Sequence, residues 1–139
     1  MAIGDPLPCG DHIVRGCSKG HDNGEVTASA FELRKRDRPF LRISVDWVEC
    51  PYVDLIDQTP KGSVKRSKRK KVRGPYAVLS VLDIREAKLK DRVLDVLEVG
   101  DQSGEPSCHC GITGFRGGVG DYQLQVQLAE VANRRSLIG

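Results

Sequence analysis

Leu41-Arg42-Ile43-Ser44-Val45-Asp46-Trp47 alternates apolar and polar residues over its whole length. Side chains of an extended chain point to opposite faces in turn, so Leu41, Ile43, Val45 and Trp47 share one face and Arg42, Ser44 and Asp46 the other. The stretch reads as a strand with one core face and one wet face. Trp47, in phase with the apolar set, belongs to the core. Upstream, residues 25–33 carry an imperfect two-residue alternation through Val26, Ala28, Ala30 and Phe31, and Lys35-Arg36-Asp37-Arg38-Pro39 is polar and proline-ended, as a turn requires. Together these segments predict an antiparallel hairpin.

Downstream, residues 50–60 are broken by two prolines around a short helical turn near 53–56. Residues 76–82 form a nearly continuous apolar run, the pattern of a central strand buried on both faces. Asp83 is placed as the N-cap of a short helix over 84–90. Residues 92–99 predict a strand that Gly100 ends. Residues 101–120 hold seven glycines and prolines and read as loop. From Asp121, again as an N-cap, Leu124, Leu128, Val131 and Ala132 recur at helical spacing as far as Arg135. The expected fold is α/β in the α+β sense. One domain over residues 1–139 would hold an antiparallel or mixed sheet of about four strands, with two helices on one face.

The chain has 139 residues, enough for one modest core and too few for two. Hydrophobic residues make up 39% and charged residues 29%, an ordinary globular balance that excludes a disordered chain. The formal net charge is only +3, so any affinity for polyanions must be local. No stretch approaches the roughly 20 apolar residues of a membrane span, and residues 1–8 carry no secretory pattern. Five cysteines is an odd count, with Cys108 and Cys110 too close to pair readily. These features predict reduced thiols, a cytoplasmic location and a chain of bacterial type with no membrane partner.

The local charge lies in residues 61–73. Lys61, Lys65, Arg66, Lys68, Arg69, Lys70, Lys71 and Arg73 are eight cations with no acid among them. Taking these eight from the +3 total leaves −5 for the rest of the chain. Cations this dense repel one another, which predicts a mobile, solvated loop. Such a loop attracts DNA or RNA by releasing counterions from phosphates, with strong salt dependence and little sequence preference. It holds no aromatic residues on which bases could stack. An acidic protein partner, or a connector that only solubilises, would use the same charges.

Two further groupings carry possible chemistry. Cys9, His12, Cys17 and His21 follow the spacing C-x2-H-x4-C-x3-H, which suits a four-ligand zinc knuckle in a protein-interaction adaptor. In Cys108-His109-Cys110, neighbouring side chains diverge, so at most two could serve one ion. Alternatively His12 and His109, both in polar, glycine-bearing sequence, could act as general base and general acid. Arg15 or Arg34 would then stabilise charge on a phosphodiester, giving a metal-independent ribonuclease. Gly117-Gly118-Val119-Gly120 lacks the Lys and Ser/Thr of a phosphate-cradling loop and is set aside.

Residues 11–15 (Asp-His-Ile-Val-Arg), 44–49 (Ser-Val-Asp-Trp-Val-Glu) and 106–114 (Pro-Ser-Cys-His-Cys-Gly-Ile-Thr-Gly) resemble a family of small uncharacterised bacterial proteins. The resemblance implies that His12, Arg15, Trp47, His109 and Gly111 stand where that family carries the same residue types. It brings no activity with it. The leading expectation is therefore an accessory domain of a larger bacterial assembly that binds nucleic acid through residues 61–73.

Overall fold

The computed structural model describes residues 4–16, 21–22, 25–35, 37–50, 76–89, 92–99 and 109–134. The alternating stretch forms a strand over Ile43–Trp47, with Ile43, Val45 and Trp47 buried and Ser44 and Asp46 half-buried. Leu41, expected on the core face of that strand, instead belongs to the turn before it and is 40% exposed, because its backbone takes the left-handed conformation that closes the turn. In chain order the strands are β1 (His12–Gly16), β2 (His21–Asp22), β3 (Glu25–Val26), β4 (Ile43–Trp47), β5 (Tyr76–Ser80), β6 (Lys88–Leu89), β7 (Arg92–Val93), β8 (Asp95–Glu98) and β9 (His109–Thr113). The helices are α1 (Val81–Glu86) and α2 (Asp121–Arg134), with a 3-10 turn at Ala28–Phe31. The main sheet has five antiparallel strands in the order β5-β1-β4-β9-β8, which makes this a small α+β fold.

The expected hairpin does not form. Residues 25–26 pair only with β2, and 28–31 coil into the 3-10 turn, whose Phe31 is fully buried in the core beside α2 residues such as Leu128. The partners of β4 are β1 on one side and β9 on the other. Residues 109–113, read as loop, are thus one of the central strands.

The apolar run over 76–82 was expected at the centre of the sheet, yet β5 lies at its edge. Ala77, Val78 and Leu79 are buried there because α1 and α2 pack against the strand. The run ends where α1 begins, and the N-cap is Ser80, not Asp83. The Ser80 hydroxyl accepts the Asp83 N–H at 3.0 Å, satisfying one of the first-turn donors.

At the other edge, β8 is covered by the N-terminal segment. Gly4 and Leu7 donate to Glu98 and Val96, and Glu98 donates back to Asp5. Arg85 of α1 fastens this segment through Asp95 at 2.7 Å, the Leu7 carbonyl at 2.6 Å and the Cys9 sulfur at 2.9 Å. Burial alone would lower its guanidinium pKa, but the bonds to Asp95 and Cys9 hold it above the ordinary value.

One sheet face carries Ile13, Ile43, Val45, Trp47, Leu79 and Ile112, and these form one core with Phe31, Ile84, Leu124 and Leu128. The spacing of Leu124, Leu128, Val131 and Ala132 in α2 meets that core as expected. Trp47 is buried, and its indole N–H donates to Asp11 at 2.8 Å.

Asp121 opens α2, but its carboxylate turns backward instead of capping the helix. It accepts the N–H groups of Arg116 and Gly117 and the guanidinium of Arg92, which also bonds the Gly114 carbonyl. Burial pushes its pKa up, but the Arg116 N–H, Arg92 and the Gly117 N–H outweigh it and hold the carboxyl below its ordinary value.

The thiols also differ from expectation. Cys50 is disulfide-bonded, whereas Cys9 and Cys110 are thiols. Among the described residues no helix is long and apolar enough to cross a membrane.

Candidate functional site

The chain enters β4 through a tight reversal built around Asp37. Its carboxylate accepts the Arg34 N–H at 2.9 Å and the Ser44 hydroxyl at 3.1 Å, while its own N–H returns to the Arg34 carbonyl. An aspartate that bonds its own backbone neighbourhood is the usual device for a turn. The Phe40 N–H closes on the Asp37 carbonyl, and Leu41 then takes a φ of +52°, in the left-handed region a leucine seldom occupies. Phe40 is thereby left on the surface at 64% exposure.

Beside this reversal opens a cleft of about 740 Å³, large enough for a nucleotide-sized group. Arg34 and Lys35 line it from the turn, Arg42 and Ser44 from the start of β4, and His109 from β9. Arg15 of β1 joins them, although it is buried. Its Nε donates to the Ala30 carbonyl at 3.0 Å and its Nη1 to the Ser44 carbonyl at 2.6 Å. The guanidinium therefore ties β1, the 3-10 turn and β4 together under the cleft. Among the described residues lining it, Asp37 is the one carboxylate, and it is 4% exposed with its oxygens occupied by the bonds just given. Asp46 stands beside His109 as its cross-strand neighbour, 3.9 Å from its Nδ1. Among the described lining residues Arg15, Arg34, Lys35 and Arg42 outnumber Asp37, so the lining carries a surplus of positive charge.

Gly111 shapes this wall. It lies opposite Ser44, and a Cβ built there would sit 2.8 Å from the Arg42 Cδ. The missing side chain lets the Arg42 stem lie across β9, with its guanidinium 4.6 Å from the centre of the Phe40 ring.

The residues expected to act together are distributed as follows. Arg15, Arg34 and His109 share the cationic cleft. His12 lines a second cleft of about 560 Å³ with Ser80, Asp83, Glu86, Glu130 and Arg134. Its Nδ1 meets Glu49 Oε2 at 2.5 Å, and its backbone N–H bonds the other Glu49 oxygen at 2.7 Å. His12 sits opposite Val48 and His109 opposite Asp46, so the two histidines are two strands and two residues apart. Ordinary strand spacing puts their Cα atoms on the order of 12 Å apart.

Of the zinc residues, Cys9 contacts Arg85 and His12 contacts Glu49, while Cys17 and the His21 side chain lie outside the described residues. Among the described residues no three His, Cys, Asp or Glu side chains gather as a metal site would need. Cys110 points into the core near Glu98 while His109 lines the cleft, the divergence expected of neighbours in a strand. The backbone donors of Arg116 and of Gly117, the first residue of the discounted glycine loop, are taken by Asp121. Residues 61–73 lie outside the described residues.

Lys35 and Arg42 had been read only as turn and wet face. The signal available for them was the run of cations in 34–38 placed directly before a half-buried strand that itself carries Arg42. Comparison with protein-family models, with curated proteins and with solved structures found no match.

Proposed function

We propose that this chain binds nucleic acid through the phosphate backbone, with the cationic cleft as one contact and residues 61–73 as a second. The observation that carries the proposal is the convergence of Arg34, Lys35, Arg42 and His109 on one opening whose carboxylate is engaged internally. Clustered cations gain by displacing counterions from phosphates, and that gain is insensitive to base sequence. A contact of this kind suits an accessory part of a larger assembly, where other subunits would supply selectivity.

Fluorescence anisotropy with a labelled 20-mer over a salt series tests the proposal. Wild type should bind tightly at low salt and lose affinity steeply as salt rises. The variant Arg34→Ser/Lys35→Ser/Arg42→Ser should flatten the plot of log K against log salt by up to about 2.7, three contacts at ~0.9 each. Lys68→Ser/Arg69→Ser/Lys70→Ser/Lys71→Ser should flatten it by up to about 3.6 on the same basis. Wild-type protein that binds neither DNA nor RNA at low salt would overturn the reading and leave an acidic protein as the better partner.

A further inference from the structure

We infer that Phe40 is a platform for an unpaired base, and that the cationic cleft therefore takes single-stranded nucleic acid in preference to duplex. This inference rests on the function proposed above and names the form of nucleic acid.

Phe40 is 64% exposed, although burying a phenylalanine is worth about 1.5–3 kcal/mol to a fold. Local backbone geometry holds it outward. The turn closes through the Phe40 N–H on the Asp37 carbonyl, and Leu41 accepts a left-handed conformation that costs of order 1–2 kcal/mol. Strain of this kind persists where the surroundings over-determine it, and it clusters at binding sites.

The ring is also oriented. The Arg42 guanidinium lies over it at 4.6 Å, and Arg42 can lie there because Gly111 leaves the space its stem needs. With a cation on one face and most of its surface exposed, the ring offers its other face to a flat partner. Arg34 and Lys35 stand on the same opening, placed to meet the phosphates of a strand whose base rests on Phe40.

Aromatic rings interleaved with cations are the means by which proteins hold single strands without reading sequence. In a duplex the bases are already stacked and paired, and exposing one costs a few kcal/mol. Phosphate contacts alone would not distinguish the two forms. The ring would.

The test measures Kd for a labelled 12-nucleotide single strand and for a 12-base-pair duplex, in wild type, Phe40→Ala, Phe40→Leu and Phe40→Trp. Wild type should favour the single strand. Phe40→Ala should weaken single-strand binding about tenfold and bring the ratio of the two Kd values toward one. Phe40→Trp should keep the preference, whereas Phe40→Leu, which keeps the bulk and loses the ring, should behave like Phe40→Ala. Thermal melts check folding, and an exposed residue should leave them nearly unmoved. Equal wild-type affinity for both forms overturns the inference and leaves backbone binding standing, as does a Phe40→Leu variant that binds like wild type. Wild type that binds neither form defeats the backbone-binding reading itself.

Discussion

Two clefts lined by described residues have opposite charge. One lies beside the turn into β4 and is lined by Arg34, Lys35, Arg42 and His109, with its carboxylate tucked inward. The other lies at the β5 edge, between α1 and α2, where Asp83, Glu86 and Glu130 outnumber Arg134 around His12. Their volumes are similar, so size does not separate them. What separates them is how the acids are used. Asp37 is consumed in building a turn and leaves the surrounding cations to dominate, whereas Asp83, Glu86 and Glu130 face the opening. The distribution of lining charges therefore favours an anion at the first cleft and disfavours one at the second, although the chain outside residues 61–73 is net negative.

The largest expected effect separates the fold from both clefts. Arg92 and Asp121 form a buried pair that ties the loop before α2, and α2 walls the acidic cleft only. Removing one partner of such a pair leaves a buried charge uncompensated, so Arg92→Ala should lower unfolding free energy by about 3–5 kcal/mol in a urea titration.

The same pair carries a pH signature. Because the folded state lowers the Asp121 pKa, its stabilisation is fully present above the unfolded value of about 3.9 and fades as pH falls through the folded value. Wild type should lose stability on acidification below pH about 4, and Asp121→Asn should lose less over that window. A variant with the full acid dependence would place it on other carboxylates.

Next comes the contrast in charge. Arg34→Glu with Arg42→Glu should weaken binding of a single-stranded 20-mer about a hundredfold or more at low salt. Asp83→Lys with Glu86→Lys changes net charge by the same amount in the opposite direction, yet should raise affinity only a few-fold. Equal and opposite responses would mean that net charge governs binding and that the cleft has no special part.

How much of this contrast was legible in the sequence follows the range of the contacts involved. β4 and α2 could be read because their periodicities are local and their apolar faces meet one core. β1 and β9 could not, since His12-Ile13-Val14-Arg15-Gly16 holds two apolar residues and His109–Thr113 contains Gly111. They become strands because β4 needs partners on both edges. The edge position of β5 was hidden because its continuous apolar run reports burial by α1 and α2, not rank in the sheet. At the site, Arg15, Arg34 and His109 were recognised as chemically apt, but their meeting with Lys35 and Arg42 depends on β1, β4 and β9 lying side by side. The partnership expected of His12 and His109 drew on residue type alone, and the sheet places them in clefts of opposite charge.

A smaller effect belongs to the acidic cleft's own framework. Ser80→Ala removes the α1 cap and should cost about 1 kcal/mol of stability by chemical denaturation. Nucleic-acid affinity should be unmoved, because Ser80 lines the other cleft. A matching loss of affinity would show the two clefts to be coupled through β1 and β5.

The smallest effect, and the most local, is expected at Gly111. A methyl group there would stand 2.8 Å from the Arg42 Cδ and 3.1 Å from its Cγ, closer than such atoms pack. The clash is with a flexible side chain, so Arg42 can swing aside and the strand can keep its register with β4. The stability cost of Gly111→Ala should stay below about 1 kcal/mol, partly offset by the restriction that alanine places on the unfolded chain. Affinity should respond more than stability, because the displaced guanidinium leaves both the Phe40 ring and the cleft wall. A loss of about three- to fivefold for a single-stranded oligonucleotide is expected, at the scale of one exposed cation–π contact of ~0.5–1 kcal/mol. In an Arg42→Ser background the same substitution should have almost no effect on binding, since the group it displaces is gone. Full additivity of the two changes would mean that Gly111 acts on the cleft by a route other than Arg42.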